Sequence, residues 1–309
     1  MSHILDDFIF FGPKDSNISS KSLATFELLA QSLQLPLKQE KTVLPTTRVI
    51  LHGILVDTVA MRLELPEDKL LGAKDLIKKL IQCKKAPLKL IQSLIGTLQF
   101  ACRAIIPGRA FLRRIIDLTR GVHSKNHRVR LTREARLDLK AWLAFLDEFN
   151  GRVLVLPELF QNSKTLKLFS DSSGLSCAAI LGSNWIKTDF PAAWCSTNIA
   201  IKELLPIVIA VRLWCDQLRD KRILFFTDNL AIVSVINNTT SKDKMLMLLV
   251  RQLVVVCLTN NILFKAKHIP GRHNVIPDLL SRSQVAKARS LAPWLAQEQS
   301  PIPEGFLPW

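Results

Sequence analysis

Two hydrophobic periods divide the chain. In the first half they are helical. Residues 1–12 alternate loosely around Asp6-Asp7 and stop at Gly12-Pro13, the pattern of a hairpin whose second strand is Phe8–Phe11. Residues 21–34 (KSLATFELLAQSLQ) place apolar side chains at helical spacing, with Ser19 or Ser20 as the expected cap. Residues 48–65 (RVILHGILVDTVAMRLEL) read as two short strands. Pro66 then opens a helix from Glu67 to about Gln82, and Pro87 opens another from Leu88 to about Ala104, since proline suits a first helical turn. A further helix covers about Arg109–Leu118, beyond the break at Pro107-Gly108. Thr132 caps a helix that runs to Phe149 and stops at Asn150-Gly151.

Beyond a polar stretch at 150–164 that contains Pro157, strands take over. They are expected at Thr165–Asp171, Ser176–Leu181 and Ala192–Cys195. A helix follows over Thr197–Leu218, then the strand Arg222–Thr227 (RILFFT), short helices to about Asn237, and a long apolar helix over Lys242–Leu258. Ile262–His268 is the fifth strand, Pro270-Gly271 a turn, and a last helix begins near Asn274. This order describes one α/β domain. From about Ala286, with Pro293, Pro301 and Pro303, no fold is assignable, and 286–309 reads as a tail or linker.

At 309 residues the chain has room for about two domains. Hydrophobic residues make up 48% and mean hydropathy is +0.20, which excludes disorder as the main state. The apolar runs Met245–Val250 and Leu253–Leu258 are interrupted by Arg251-Gln252, too short to span a bilayer. The start lacks the basic and apolar regions of a signal peptide. Six scattered cysteines without a C-x-x-C pair read as reduced, so a cytoplasmic or nuclear location is expected.

Charge changes the picture more. The formal net charge is +16, and it is not evenly spread. Lys69–Arg136 holds 17 Lys or Arg against three acids (Asp75, Asp117, Glu134), a net +14. Such a block suits a surface that follows a phosphate backbone by counterion release. Lys74, Lys78, Lys79, Lys84, Lys85, Lys89, Arg109, Arg113 and Arg114 are its candidate contacts, with Asn229, Arg272 and Asn274 nearer the strands.

Candidate chemistry lies in four acids. Asp171 and Asp228 each end an apolar strand, the edge where ligands collect in open α/β sheets. Glu203 lies on the helix between them and Asp278 near the start of the last helix. Converging carboxylates repel unless a cation lies between them, and oxygen-only ligands suit Mg²⁺ or Mn²⁺. Two such ions could activate a water and stabilise a leaving oxygen in phosphodiester hydrolysis.

FSDSSG (169–174), KELLPI (202–207), FFTDN (225–229) and HIPGRHNVIPDLLSR (268–282) resemble the ribonuclease H domain of retroelement polymerases. The acid order Asp, Glu, Asp, Asp is that family's, with gaps here of 32, 25 and 50 residues. The likeness covers about 164–285. It implies a five-stranded mixed sheet with helices, and a catalytic set of Asp171, Glu203, Asp228 and Asp278 holding two Mg²⁺ or Mn²⁺. Asn274 and the Leu279-Leu280-Ser281-Arg282 ending are similar to gypsy-like and DIRS-like retrotransposons. Pro277 before the last Asp, and Pro206 three residues after Glu203, depart from the pattern. His273 stands where some ribonucleases H carry a mobile histidine, while His268 reads as structural.

The first half resembles reverse transcriptases. Ile4-Leu5-Asp6-Asp7 is similar to the Y-x-D-D box, LHGILVD (51–57) to the F-L-G segment, and IQSLIGTLQFACRAIIPGRAFLRRIIDL (91–118) to DIRS-type elements. The resemblance implies a partial palm hairpin over 1–66, with Asp6 and Asp7 as a vestigial polymerase metal site. It also implies a mainly helical thumb and connection over 67–150, gripping an RNA–DNA hybrid or primer–template duplex. The family's fingers and third palm aspartate precede this segment, so an upstream polymerase segment is an expected partner. Three readings stay open: a ribonuclease H, a nucleic-acid-binding remnant that has lost its chemistry, or a retrotransposon remnant with no molecular function.

Overall fold

In β12 (Arg222–Thr227) every second side chain is buried, and Ile223, Phe225 and Thr227 line one face of the central sheet. The computed structural model describes residues 2–4, 7–151, 153–154, 165–194 and 196–307. They form two units, one ending at Met61 and the other beginning at Arg62.

In the first unit, β1 (Ser2–Ile4) and β2 (Asp7–Ile9) form the expected hairpin, with Ile4 opposite Asp7. Asp6 lies outside the described residues. Helix α1 (Ile18–Ser32) starts ahead of the expected cap, so Ser19 and Ser20 lie inside its first turn; Asn17 takes the cap position without a side-chain bond. The rings of Phe8 and Phe10 pack on Phe26 at 4.5 and 5.5 Å. Strands β3 (Arg48–Leu51) and β4 (Ile54–Asp57) join through His52-Gly53, both at positive φ (48° and 76°), as a tight hairpin turn requires.

The second unit opens with β5 (Arg62–Glu64), a third strand where two were expected over 48–65; it pairs with β8 (Val153–Leu154). Helix α2 (Glu67–Gln82) matches its expected bounds, with Glu67 and Asp68 favourably placed in its first turn. Two short strands went unforeseen. β6 (Lys85–Pro87) pairs antiparallel with β7 (Arg128–Arg130), and three residues each are too few to display a period in the sequence. Helix α3 covers Leu88–Ala101. The single helix expected over Arg109–Leu118 is instead a 3₁₀ turn (Ile106–Phe111) followed by α4 (Arg113–Asp117). Gly108 lies so close to Trp142 that a Cβ would meet its ring at 2.4 Å. Trp142 sits on α5 (Arg133–Glu148), whose first turn is capped by the Thr132 hydroxyl accepting from the Ala135 N–H at 3.1 Å.

The main sheet has the order β11-β10-β9-β12-β13. β9 (Leu166–Ser172), β10 (Ser176–Leu181) and β11 (Asn184–Asp189) are antiparallel, whereas β9, β12 and β13 (Leu263–His268) are parallel. The third strand is thus Asn184–Asp189, and Ala192–Trp194 is only a 3₁₀ turn. Gly182 at φ +59° makes the tight turn between β10 and β11. Helix α6 (Ile199–Leu213) packs on β9 and β10 and against α9 (Lys244–Thr259). The helix expected to run to Leu218 breaks at Trp214 into a short α7 (Cys215–Leu218). Helix α8 (Leu230–Asn238) packs on β13, and α10 (Val275–Ser281) on β9 and β10.

Helix α9 also touches the 3₁₀ turn of the helical half. Between them, Asp138 is buried with Arg114 Nη1 at 3.2 Å and Arg251 Nη2 at 3.6 Å. Burial pushes its carboxyl up to about 6 even against both guanidinium charges.

The stretch beyond 285 is not the unfolded tail expected. Helix α11 (Val285–Leu291) buries Ala288, and Ala292 and Leu295 join it in a core with Ile180, Trp185 and Leu280. The chain then runs beside β11: Trp185 Nε1 donates to the Ala296 carbonyl at 3.0 Å, and the Ser300 N–H to the Trp185 carbonyl at 2.9 Å. At the other edge of the sheet, the Asn237 side chain binds both the N–H and the carbonyl of Ala266, each at 2.9 Å. Among the described residues, no helix is long and apolar enough to cross a membrane, and Cys83, Cys102, Cys177, Cys215 and Cys257 are free thiols.

Candidate active site

Parallel pairing aligns two of the four acids. Phe169 lies opposite Phe226 and their rings stack at 4.8 Å. Two residues further along each chain stand Asp171 and Asp228, at the carboxyl edge of the sheet. Glu203, one turn into α6, completes the group: one carboxylate oxygen from each of the three lies within 4.8 Å of the others. Asp171 and Glu203 are buried, while Asp228 is exposed at the rim.

Each acid is held by a recognisable local device. Asp171 Oδ2 accepts from the buried Ser281 hydroxyl at 2.5 Å. Ser281 is itself fixed, because its carbonyl accepts from Ser173 Oγ at 2.8 Å and from Ser176 Oγ. Glu203 depends on Pro206. Proline has no N–H, so the carbonyl of Lys202, four residues earlier, loses its helical donor. The Ser172 hydroxyl takes that place at 2.8 Å and ties α6 to the end of β9. Of the two effects a proline can have inside a helix, a lost bond or a kink, the lost bond is the one seen, since α6 runs unbroken from Ile199 to Leu213. Pro277 is equally benign, lying in the first turn of α10, where an N–H has no helical partner.

Electrostatically the group is unsatisfied. Burial pushes the Glu203 carboxyl up to about 9, and the charges of Asp171 and Asp228 add to the rise. The Ser172 backbone N–H and the Thr227 hydroxyl pull the other way. Asp171 is raised as well, by burial first, with the Ser281 hydroxyl opposing. Glu203 Oε2 is buried without a hydrogen-bond partner. An all-oxygen donor set, mutually repelling and with one oxygen orphaned, fits a hard divalent cation.

Asp278 stands outside this cluster. Its Oδ1 accepts from Arg282 Nε at 2.7 Å, one turn along α10, and it is near enough to raise Asp171 by its charge. His268 Nε2 lies 3.1 Å from the Asp228 carbonyl, and His273 is exposed in the loop before α10.

Comparisons with known proteins give little. No family model matches the chain, and no curated protein matches it. Among solved structures, the foamy viral protease-reverse transcriptase in complex with an RNA/DNA hybrid aligns at a TM-score of 0.35 and 13% identity, over 80% of this chain and 33% of that one. The same enzyme with double-stranded DNA aligns at 0.35 and 15%, over 81% and 51%. This chain therefore spans a third to a half of those chains, and a likeness so weak carries no argument about its chemistry.

The candidate nucleic-acid contacts divide. Lys78, Lys79, Lys84, Lys85, Lys89, Arg109 and Arg272 are exposed. Lys74 is instead paired with Asp147 at 2.6 Å, Arg113 with Asp117 at 3.2 Å, and Arg114 with the buried Asp138. Asn274 is buried, its Nδ2 donating to the Ser170 carbonyl at 2.9 Å and clamping α10 to β9. Asn229 caps α8, its Oδ1 accepting from the Ala231 and Ile232 N–H groups. Asp7 is exposed, with His52 Nδ1 at 3.7 Å. Sequence reasoning missed Ser172 and Ser281. Their only signal was the Ser-rich run 170–173 and the serine three residues after Asp278.

Proposed function

We propose that the chain is a retroelement polymerase segment whose 164–285 region is a ribonuclease H-type endonuclease cutting the RNA strand of RNA–DNA hybrids. The observation that carries this is the trio Asp171, Glu203 and Asp228, with oxygens within 4.8 Å and Glu203 Oε2 left orphaned. On this reading the trio, joined by Asp278, holds two Mg²⁺ or Mn²⁺ ions. Bound there, they would supply Lewis-acid activation of water and stabilisation of the leaving oxygen. The rest belongs to the chain. Ser281 fixes the orientation of Asp171 by occupying Oδ2. Ser172 holds the turn that carries Glu203. Without a cation, Glu203 keeps a proton near neutrality, which limits the repulsion in the empty cluster. Asp228, at the exposed rim, faces the side from which a phosphodiester arrives. Residues 1–66 and 67–150 are read as parts of a reverse-transcriptase palm and of its thumb and connection.

A specific observation favours a second reading, a duplex-binding protein without chemistry. Asp278 is engaged by Arg282 and stands outside the trio. The test is cleavage of an end-labelled RNA–DNA hybrid in Mg²⁺ and Mn²⁺, beside Asp228→Asn. Metal-dependent cutting of the RNA strand by the parent, lost in the variant while hybrid binding persists, supports the nuclease. A folded parent that binds hybrid and never cuts it supports the second reading.

A further inference from the structure

We propose that the cleft between the β6–β7 pair and the first turns of α5 seats the phosphate backbone of a nucleic-acid duplex. The proposal rests on the duplex-binding part of the reading above and gives it a place.

The cleft holds about 1090 Å³ and is rimmed by Lys84, Lys85, Arg130, Arg133, Arg136 and Lys140. Among the described residues no carboxylate lines it. Four of these six cations come from β7 and α5, outside the α2–α4 helices where the candidate contacts concentrated. Its construction is electrostatically unfavourable when empty. In the two-stranded pair Lys85 stands directly opposite Arg130, while Ala86 and Val129 turn inward and are buried. Like charges directly opposite destabilise a ladder. The positive end of the α5 dipole adds to the same potential, since its capped first turn begins at Arg133 beside the cleft. A polyanion would relieve all of these terms together.

The floor says which kind of polyanion. Ile81, Leu131 and Leu137 supply apolar surface, and among the described residues no aromatic side chain lines the cleft. Single-strand sites stack bases on aromatic rings, and the described lining has none. Cations without a stacking platform suit a backbone that presents phosphates only, as a duplex does, and predict little sequence preference.

The test compares Lys85→Gln/Arg130→Gln/Lys140→Gln with a charge-matched control, Lys242→Gln/Lys287→Gln/Arg289→Gln. All six side chains belong to exposed residues. Hybrid binding would be followed by fluorescence anisotropy in EDTA across a KCl series. At about 0.9 per neutralised phosphate, the cleft variant should flatten the salt slope by roughly 2–3, weaken binding at least tenfold, and leave the control near the parent. Its Tm should hold or rise, because the Lys85–Arg130 repulsion is gone. Equal losses in the two triple variants would overturn the cleft and leave the nuclease reading standing. A fall in Tm that accounts for the lost binding, or an equal loss with single-stranded oligonucleotides, would overturn it as well. Hybrid held at the cleft by a chain that never cuts in Mg²⁺ or Mn²⁺ would leave the cleft intact and end the nuclease reading.

Discussion

Replacing Glu203 by Gln should make the metal-free protein more stable at neutral pH. Glu203 is buried beside two further carboxylates, and its carboxyl stands at about 9 where an ordinary one titrates at 4.5. The folded state therefore binds this proton more tightly than the unfolded chain does. Its stability contribution is fully present below 4.5 and is lost as pH rises towards 9. At ~1.4 kcal/mol per pH unit the ceiling is about 6 kcal/mol, and relaxation and water entry reduce this to roughly 2–3. Glutamine has the same shape, carries no charge, and can donate from the orphaned position to Asp171 or Asp228. For a unit of this size the gain corresponds to roughly 5–10 °C in Tm. The assay is a thermal melt of both proteins in EDTA between about pH 5 and pH 8. The two should nearly coincide at the acid end and diverge with rising pH. Adding Mn²⁺ should then raise the parent's Tm far more than the variant's. Melts that run parallel across the whole range would refute the electrostatic account of the trio, whatever the enzyme activity.

Two further substitutions probe packing and positioning. Gly108→Ala drives a Cβ to 2.4 Å from the Trp142 ring and should cost about 1–3 kcal/mol in a denaturant melt, whereas Gly96→Ala, with nothing within 4 Å on the exposed face of α3, should gain about 0.5–1 kcal/mol. Equal effects would refute the packing argument. Ser281→Ala removes the hydroxyl that donates to Asp171 and should weaken Mn²⁺ binding about 10–100-fold by calorimetry, with Ser281→Thr recovering part of the loss. Unchanged affinity in the alanine variant would show that the hydroxyl does not orient the carboxylate.

Long, regular elements were legible in the sequence. Helix α2 and strands β10 and β12 stand at their expected bounds, because proline, glycine and alternation mark their ends. What escaped depended on distant partners. β6 and β7 are three residues each and exist only as a pair, separated by 40 residues of helix and loop. β11 has four polar residues in six, so it shows less of a strand pattern than the more apolar 192–195 segment, whose 192–194 form only a turn. In the site, the strand-end position of Asp171 and Asp228 followed from local pattern, and Glu203 joined them through the order of motifs. The devices that hold them did not. That Ser172 satisfies a carbonyl freed by Pro206 requires β9 and α6 to be side by side, and no spacing in the chain states it. Asn274 stood out by its place in the retroelement-like pattern, and its burial between α10 and β9 depends on a partner 104 residues away that no local pattern states.

The margins of the main sheet bear on how this protein keeps to itself. A five-stranded sheet has two rims of unpaired peptide groups, and each is an invitation to a strand from another molecule. Here the rims are closed by unlike means. Along β11 the segment around Ala296–Ser300 lies as a strap, its backbone taking up Ser183 and Trp185. Along β13 a single amide, Asn237, answers both peptide groups of Ala266. A recombinant fragment cut at residue 285 would retain the three clustered carboxylates and yet bare one rim completely. Such a piece would self-associate through β11, and its insolubility would say nothing about its chemistry.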